Sequence, residues 1–281
     1  MKKPIALAVV GDIHNGSTLA ACPPEGVRLD DGGQYLPSRV QSWIWSCWEE
    51  YWGWVDAERR AAKAELWTIY AGDAYEGDHH GTSQIISKNP EAQGYVSDRT
   101  FGVPSSLRPA RQFVVRGTVA HVGEGGNSEE ALAKKIGAER DEEAKTWSWW
   151  HLRLEVNGLL VDCQHHGRAG YRPWTEASAA SLLAANIWYE HVRRGERPPD
   201  VAFRAHVHRF ADSGTMQHTR VVVTPAWQAK TAHTHKVAPE SIADIGGVLL
   251  IVQPDGSYEL KAKLFPHKLP AIWTPQAKTK S

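Results

Sequence analysis

The chain reads as an α/β protein on three observations. Residues 4 to 11 form an unbroken apolar run closed by Gly11, as expected of a strand covered on both faces. Two later runs, LWTIYAGD ending at Asp73 and RQFVVRG ending at Gly117, repeat the pattern of a hydrophobic body and a polar, glycine-marked exit. Helical periods lie between the strands. The first opens at Ser38, where Ser38 and Gln41 form a capping box ahead of Val40, Ile44, Cys47, Tyr51 and Val55.

In chain order, the first strand is followed by an irregular stretch, NGSTLAACPPEGVRLDDGGQYLP, whose glycines, prolines and paired aspartates break any periodicity. The helix from Ser38 and the strands ending at Asp73 and Gly117 come next. NSEEALAKKIGAERDEEA predicts a further helix, capped by Asn127 or Ser128, with Glu129 and Glu130 in its favourable first turn. HLRLEVNGLLVDCQHHG predicts a hairpin turning at Asn157-Gly158, with its second strand ending at His165. A helix over about 175 to 194 stops at Gly195, and VAFRAH forms a strand that again ends in a histidine. Strands at 219 to 225, 246 to 253 and 257 to 264 complete the pattern. This organisation predicts a single domain over residues 1–264 and a loosely held tail over 265–281.

Bulk composition narrows the functional classes. At 281 residues and 42% hydrophobic content the chain can bury a substantial core. Lysine plus arginine and aspartate plus glutamate both total 32, so no global field draws the protein to nucleic acid or to an anionic membrane. Three cysteines at unrelated spacings form neither a CxxC pair nor a disulfide framework and suit a reducing cytoplasm. The apolar run from Ile5 to Val10 is too short for a signal peptide or a membrane span.

In an open α/β sheet, ligands bind beyond the carboxyl ends of the strands. Five strand ends here carry aspartate or histidine: Asp12 and His14, Asp73, His121 beyond the third strand, His165, then His206 and His208. Each motif alone fits an ordinary turn, GD above all. Five together, in strands otherwise built of apolar residues, point to a site. Imidazole suits zinc, iron, manganese and similar ions, and carboxylate can bridge two of them, so the mixture predicts a pair of divalent first-row ions acting on phosphate esters. Residues two apart in a strand point the same way, which lets Asp12 and His14 serve one ion, with His206 and His208 repeating that geometry and Val207 turned into the core.

The segments GDIHNGS, AGDAYEGDHH, VVRGTVAH, VDCQHHG and RAHVH resemble, in order and spacing, those of the calcineurin-like metallophosphoesterases, closest to the divergent members of phages and prophages. The likeness covers about residues 5 to 210. It implies two mixed β-sheets in a sandwich flanked by helices, with a binuclear centre at the sheet edges whose hydroxide attacks phosphorus. Carried over by position, Asp12, His14 and His208 hold one ion, Asp73 bridges, and His165 and His206 hold the other. The family has Gly-Asn-His at the end of the third strand, where the asparagine binds the second metal and the histidine assists the leaving group. This chain has Gly117-Thr118-Val119-Ala120-His121, so Asn127, His121 or water is left to complete the second position, and His121 is a ligand or a catalytic acid.

Strand alternation places Val161, Cys163 and His165 on one face, and the resemblance implies that the first histidine past the strand is the ligand, which together select His165 over His166. His166 is left beside a ligand, against substrate or facing outward, while His79 and His80 border the cleft or lie on the surface. Arg168 and Arg172, with Arg204 and Arg209, are candidates for gripping phosphate, against ordinary surface pairing. Asp212 reads as a turn residue. Five tryptophans, 43, 45, 48, 52 and 54, surround one helix and are expected to be covered by the protein's own core. A dimer interface, making a homodimer, and a platform for stacking bases are the alternatives. The function expected is a metal-dependent phosphoesterase, a phosphodiesterase first, with nucleotides or nucleic acid among its substrates. A phosphomonoesterase, a phosphotriester or ester hydrolase, and a binding protein that has lost catalysis are the alternatives.

Overall fold

The computed structural model describes residues 2–79, 81–167, 175–267 and 272–274. His80, Arg168 and Arg172 lie outside the described residues, as does most of the 265–281 tail. The elements run β1 (Ile5–Val10), β2 (Val27–Arg28), β3 (Gln34–Tyr35), α1 (Arg39–Ala61), β4 (Glu65–Tyr70), α2 (Pro90–Ser106), β5 (Arg111–Val115), α3 (Val119–Val122) and α4 (Asn127–Ile136). They continue with β6 (Ser148–Trp149), β7 (Leu152–Val156), β8 (Leu159–His166), α5 (Glu176–Arg193), β9 (Val201–Ala205), β10 (Ala211–Asp212), β11 (Arg220–Val223), α6 (Ala232–Val237), β12 (Ile245–Val252) and β13 (Tyr258–Phe265).

Two mixed sheets form. The first has the order β13-β12-β1-β4-β5-β6, with β1, β4, β5 and β6 parallel and β12 and β13 antiparallel. The second has the order β10-β11-β9-β8-β7, parallel across β11, β9 and β8. The pleat explains the layering. Leu7 and Val9 of β1 join Phe113, Val248, Val161, Cys163 and Phe203 in a core shared by both sheets. Ala6, Ala8 and Val10 face the other way, onto Ile44, Trp48, Tyr51 and Trp52 of α1. Ala180 and Ala184 of α5 cover Ala202, Val221 and Val223 on the far side of the second sheet. The molecule is therefore a helix–sheet–sheet–helix sandwich, and β1 is apolar on both faces because it is covered on both.

The predicted α1 cap is present: Ser38 Oγ accepts from Gln41 N–H, and Gln41 Oε1 accepts from Ser38 N–H. Trp45, Trp48 and Trp52 are buried, with Trp43 and Trp54 packed against the same core. The aromatic helix surface is thus largely used within the chain, as expected. The hairpin turns at Asn157 and Gly158, both at positive φ.

The long helix expected after Asn127 stops at Ile136, because Gly137 takes the left-handed conformation and its N–H closes on Ala133 and Lys134. Its N-cap is Gly126, without a side-chain bond, rather than Asn127 or Ser128. α2 is an element that periodicity missed. Asn89 caps it and Pro90 opens it, but Gly94, Gly102 and Pro104 inside it hide the helical signal. Asp212 starts a turn, accepting from Gly214 N–H at 2.8 Å, and in β10 it also accepts a bidentate pair from Arg220, at 2.9 and 2.6 Å. Among the described residues no helix is long and apolar enough to cross a membrane.

Candidate metal centre

β1, β4, β5, β8 and β9 end at one edge of the sandwich. The two sheets approach closely there, since a Cβ on Gly11 would stand 3.0 Å from that of Ala205. Gly72 is required as well: at φ +94 it passes so near the His165 ring that any side chain would meet Nδ1. Beyond the strands the backbone takes left-handed turns. Nine non-glycine residues have positive φ among those described, and five of them are Asp12, His14, Asp73, His206 and His208. Such conformations cost free energy and persist where the surroundings impose them, a pattern concentrated at functional sites. β9 itself ends at Ala205, so His206 and His208 are aimed by these turns, not by strand alternation. Val207 packs, partly buried, against the cluster beneath α5.

The side chains converge. His14 Nε2 lies 3.1 Å from His208 Nε2. Asp12 Oδ1 stands 3.6 Å from His208 Nε2 and 4.0 Å from His165 Nε2, and Asp73 Oδ2 is 3.0 Å from His165 Nε2. Asp12 Oδ2 accepts from His206 N–H at 2.9 Å, and Asp73 Oδ1 from Thr118 N–H at 2.6 Å. Ligand atoms within 4.8 Å of one another form overlapping sets: Asp12, His14 and His208; Asp12, Asp73 and His165; His165, His166 and His206; His14, Asp73 and His121; and Glu76, His79 and His121. The structure thus brings Asp12, His14, Asp73, His165, His206 and His208 together, with His79, His121 and His166 beside them.

These groups fit divalent ions. Asp12 Oδ1 is buried without a hydrogen-bond partner, an arrangement unfavourable for a carboxylate unless a cation meets it. The outward nitrogens of several histidines are fixed, which aims the inward ones into the site. His165 Nδ1 donates to Ala71 O at 2.8 Å, His121 Nδ1 to Glu76 O at 2.7 Å, and His14 Nδ1 meets Glu76 Oε2 at 3.0 Å. Electrostatics agree. Burial opposes ionisation of Asp12 and Asp73, yet His208 and His165 hold both carboxyls below the usual range. Burial also opposes a charge on His165, but Asp73 pushes its pKa up to about 10. His206 goes the other way, to about 4, through burial and the neighbouring His165.

Two supporting residues escaped the sequence reading, and a third figured there only as the residue standing in place of asparagine. Glu76, three after Asp73, is buried and joins His14, His79 and Gln228, the last at 2.7 Å. Burial resists its charge, but the His14 bond brings its pKa down to about 2. Glu129, read from the sequence as a first-turn charge, is wholly buried beneath the Asp73 loop. It accepts from Ala74 N–H at 3.2 Å and Gly117 N–H at 2.6 Å. Burial, then the Asp73 charge, pushes its pKa up to about 8. The third is Thr118, whose hydroxyl is 3.2 Å from both His165 Nε2 and His206 Nδ1.

No model of a known protein family matches the chain, and no curated protein sequence matches it. Among solved structures it is similar to the sulfate thiohydrolase SoxB of Thermus thermophilus in complex with glycerol, at 10% identity and a TM-score of 0.43. That match covers 95% of this chain and 57% of the other, so the chain spans little more than half of SoxB. It is similar also to a dimetal phosphatase from Danio rerio, at 8% identity and a TM-score of 0.42, over 91% of this chain and 98% of that one.

Arg204 does not serve the site. It is buried on the far face of the second sheet, where Nη1 donates to Phe203 O at 2.7 Å and pairs with Asp162 Oδ1 at 2.7 Å. Glu129 supports the Asp73 loop by satisfying two backbone donors that water cannot readily reach. Glu129→Ala is expected to lower stability by about 2 kcal/mol, the cost of unmet buried N–H groups. A urea titration of the metal-free protein checks this, and an unchanged midpoint would contradict it.

Proposed function

We propose that the chain is a metal-dependent phosphoesterase acting on phosphodiesters, nucleotides and nucleic acid among them. The observation that carries this reading is the buried Asp12 Oδ1, which accepts no hydrogen bond, amid Asp73, His14, His165, His206 and His208. Asp12, His14 and His208 would hold one divalent first-row ion, His165 and His206 a second, with Asp73 between them. Ions bound there would supply Lewis acidity to a water and to the phosphoryl oxygens.

The chain's own residues do the rest. Asp12 and Asp73 offset the positive charge, and Glu76 orients His14. His121, held through Nδ1 by the Glu76 carbonyl, has Nε2 left to carry a proton to a departing oxygen. Arg204, which brackets the closing motif, is committed to Asp162 and adds no cation for the doubly charged phosphate of a monoester.

The test is hydrolysis of an aryl phosphodiester and an aryl phosphomonoester after chelation and after re-addition of manganese, zinc or iron. Metal-restored turnover, faster on the diester, is expected, and no restored turnover of either substrate would overturn the reading. His121→Asn is expected to slow an alkyl diester about 100-fold and an aryl diester far less, because a good leaving group needs little proton assistance. Metal content should not change. If His121→Asn sheds an ion instead, the residue is a ligand and not an acid.

A further inference from the structure

We propose that His166 is a ligand of the second ion, so that this position is closed by three imidazoles, His165, His166 and His206, with Asp73 alongside. The inference rests on the metal-centre reading above and assigns a residue that strand alternation excludes. In a regular strand His165 and His166 would point to opposite faces. β8 is not regular there. Its pairing with β9 runs Val161 to Val201, Asp162 to Ala202 and Cys163 to Phe203, and then slips, so that His166 lies opposite Ala205. A bulge of this kind re-aims a side chain, and bulges recur beside functional sites for that reason.

The result is visible in the rings. His166 lies 5.0 Å from His165 and 4.7 Å from His206, centroid to centroid, and His165 lies 5.2 Å from His206. One nitrogen from each falls within 4.8 Å of the other two. Three ring nitrogens converge on one small volume, a geometry that a single cation can bridge. The Thr118 hydroxyl touches His165 and His206 but can donate to only one of them at a time. His166 and His206 are also the exposed members of the group, which leaves the second ion open to water and substrate on that side.

The experiment counts zinc in the purified, chelated and reloaded protein by mass spectrometry, and measures affinities by competition with a chromophoric chelator. The wild type should hold two ions. His166→Ala should keep the first at unchanged affinity and bind the second at least tenfold more weakly, with an unchanged circular dichroism spectrum. His191→Ala, whose ring bonds Ile187 O within α5, serves as the control and should match the wild type. Two ions at wild-type affinity in His166→Ala would overturn the assignment while leaving the metal centre standing. Fewer than two ions in the wild type would overturn both.

Discussion

Replacing Asp73 with asparagine is expected to lower phosphodiester hydrolysis about a thousandfold or more. Asp73 groups with Asp12 and His165 on one side and with His14 and His121 on the other. It is therefore the carboxylate best placed to be shared by two cations, which in such centres sit roughly 3.5 to 4 Å apart. Removing a shared negative charge between them costs several kcal/mol, and each 1.36 kcal/mol is tenfold in rate. Asparagine keeps the acceptor that Thr118 N–H uses, so the loop is retained and the loss reports the charge. The check is kcat on an aryl phosphodiester at saturating zinc or manganese, with a parallel metal count. Activity within tenfold of wild type, with both ions bound, would show that Asp73 is not shared.

The strand ends were legible because their chemistry contrasts with what precedes them. An apolar run that stops at Gly-Asp-x-His or Ala-His-x-His leaves few explanations, and the buried core of β1 confirms why the run is apolar throughout. What escaped has physical reasons. The slip between Cys163 and His166 comes from pairing with β9, a partner some forty residues away, so no local pattern announces it. Regular alternation along β8 would turn His166 away from His165, whereas the slip brings the rings of His165, His166 and His206 together. The left-handed turns at Asp12, His14, Asp73, His206 and His208 are likewise imposed by tertiary contacts, such as His206 N–H on Asp12 Oδ2. Glu129 reads in the sequence as a first-turn helix charge and Glu76 carries no signal, because burial of a carboxylate is not written in its neighbours in sequence. α2 was hidden by its glycines and internal proline, and packing of Ala92, Val96 and Phe101 overrides that weak propensity.

Zinc binding is expected to release protons at pH 7 and to weaken steeply as the pH falls, by up to about two decades per pH unit, since each displaced proton contributes one. The ligands divide into two kinds. His14 and His206 are pushed toward neutrality, chiefly by burial, and are ready for a cation. His165 and His208 are not: although burial opposes their charge, Asp73 and Asp12 raise their pKa values, that of His165 to about 10. In the metal-free protein His165 carries a proton that an ion must displace, and His208 is shifted in the same direction. Calorimetric titrations in buffers of different ionisation enthalpy count the protons, and binding without release, at a pH-independent affinity, would place the ions elsewhere. Stability carries the same signature. Because the folded pKa of His165 lies above its ordinary 6.5, its protonation stabilises the metal-free fold fully below pH 6.5, and that contribution is lost as the pH rises toward about 10. Over the same interval the ion displaces a proton ever more easily. The gap in Tm between loaded and metal-free protein should therefore widen from pH 6.5 to 10, and a constant gap would mean that proton and ion do not compete for His165.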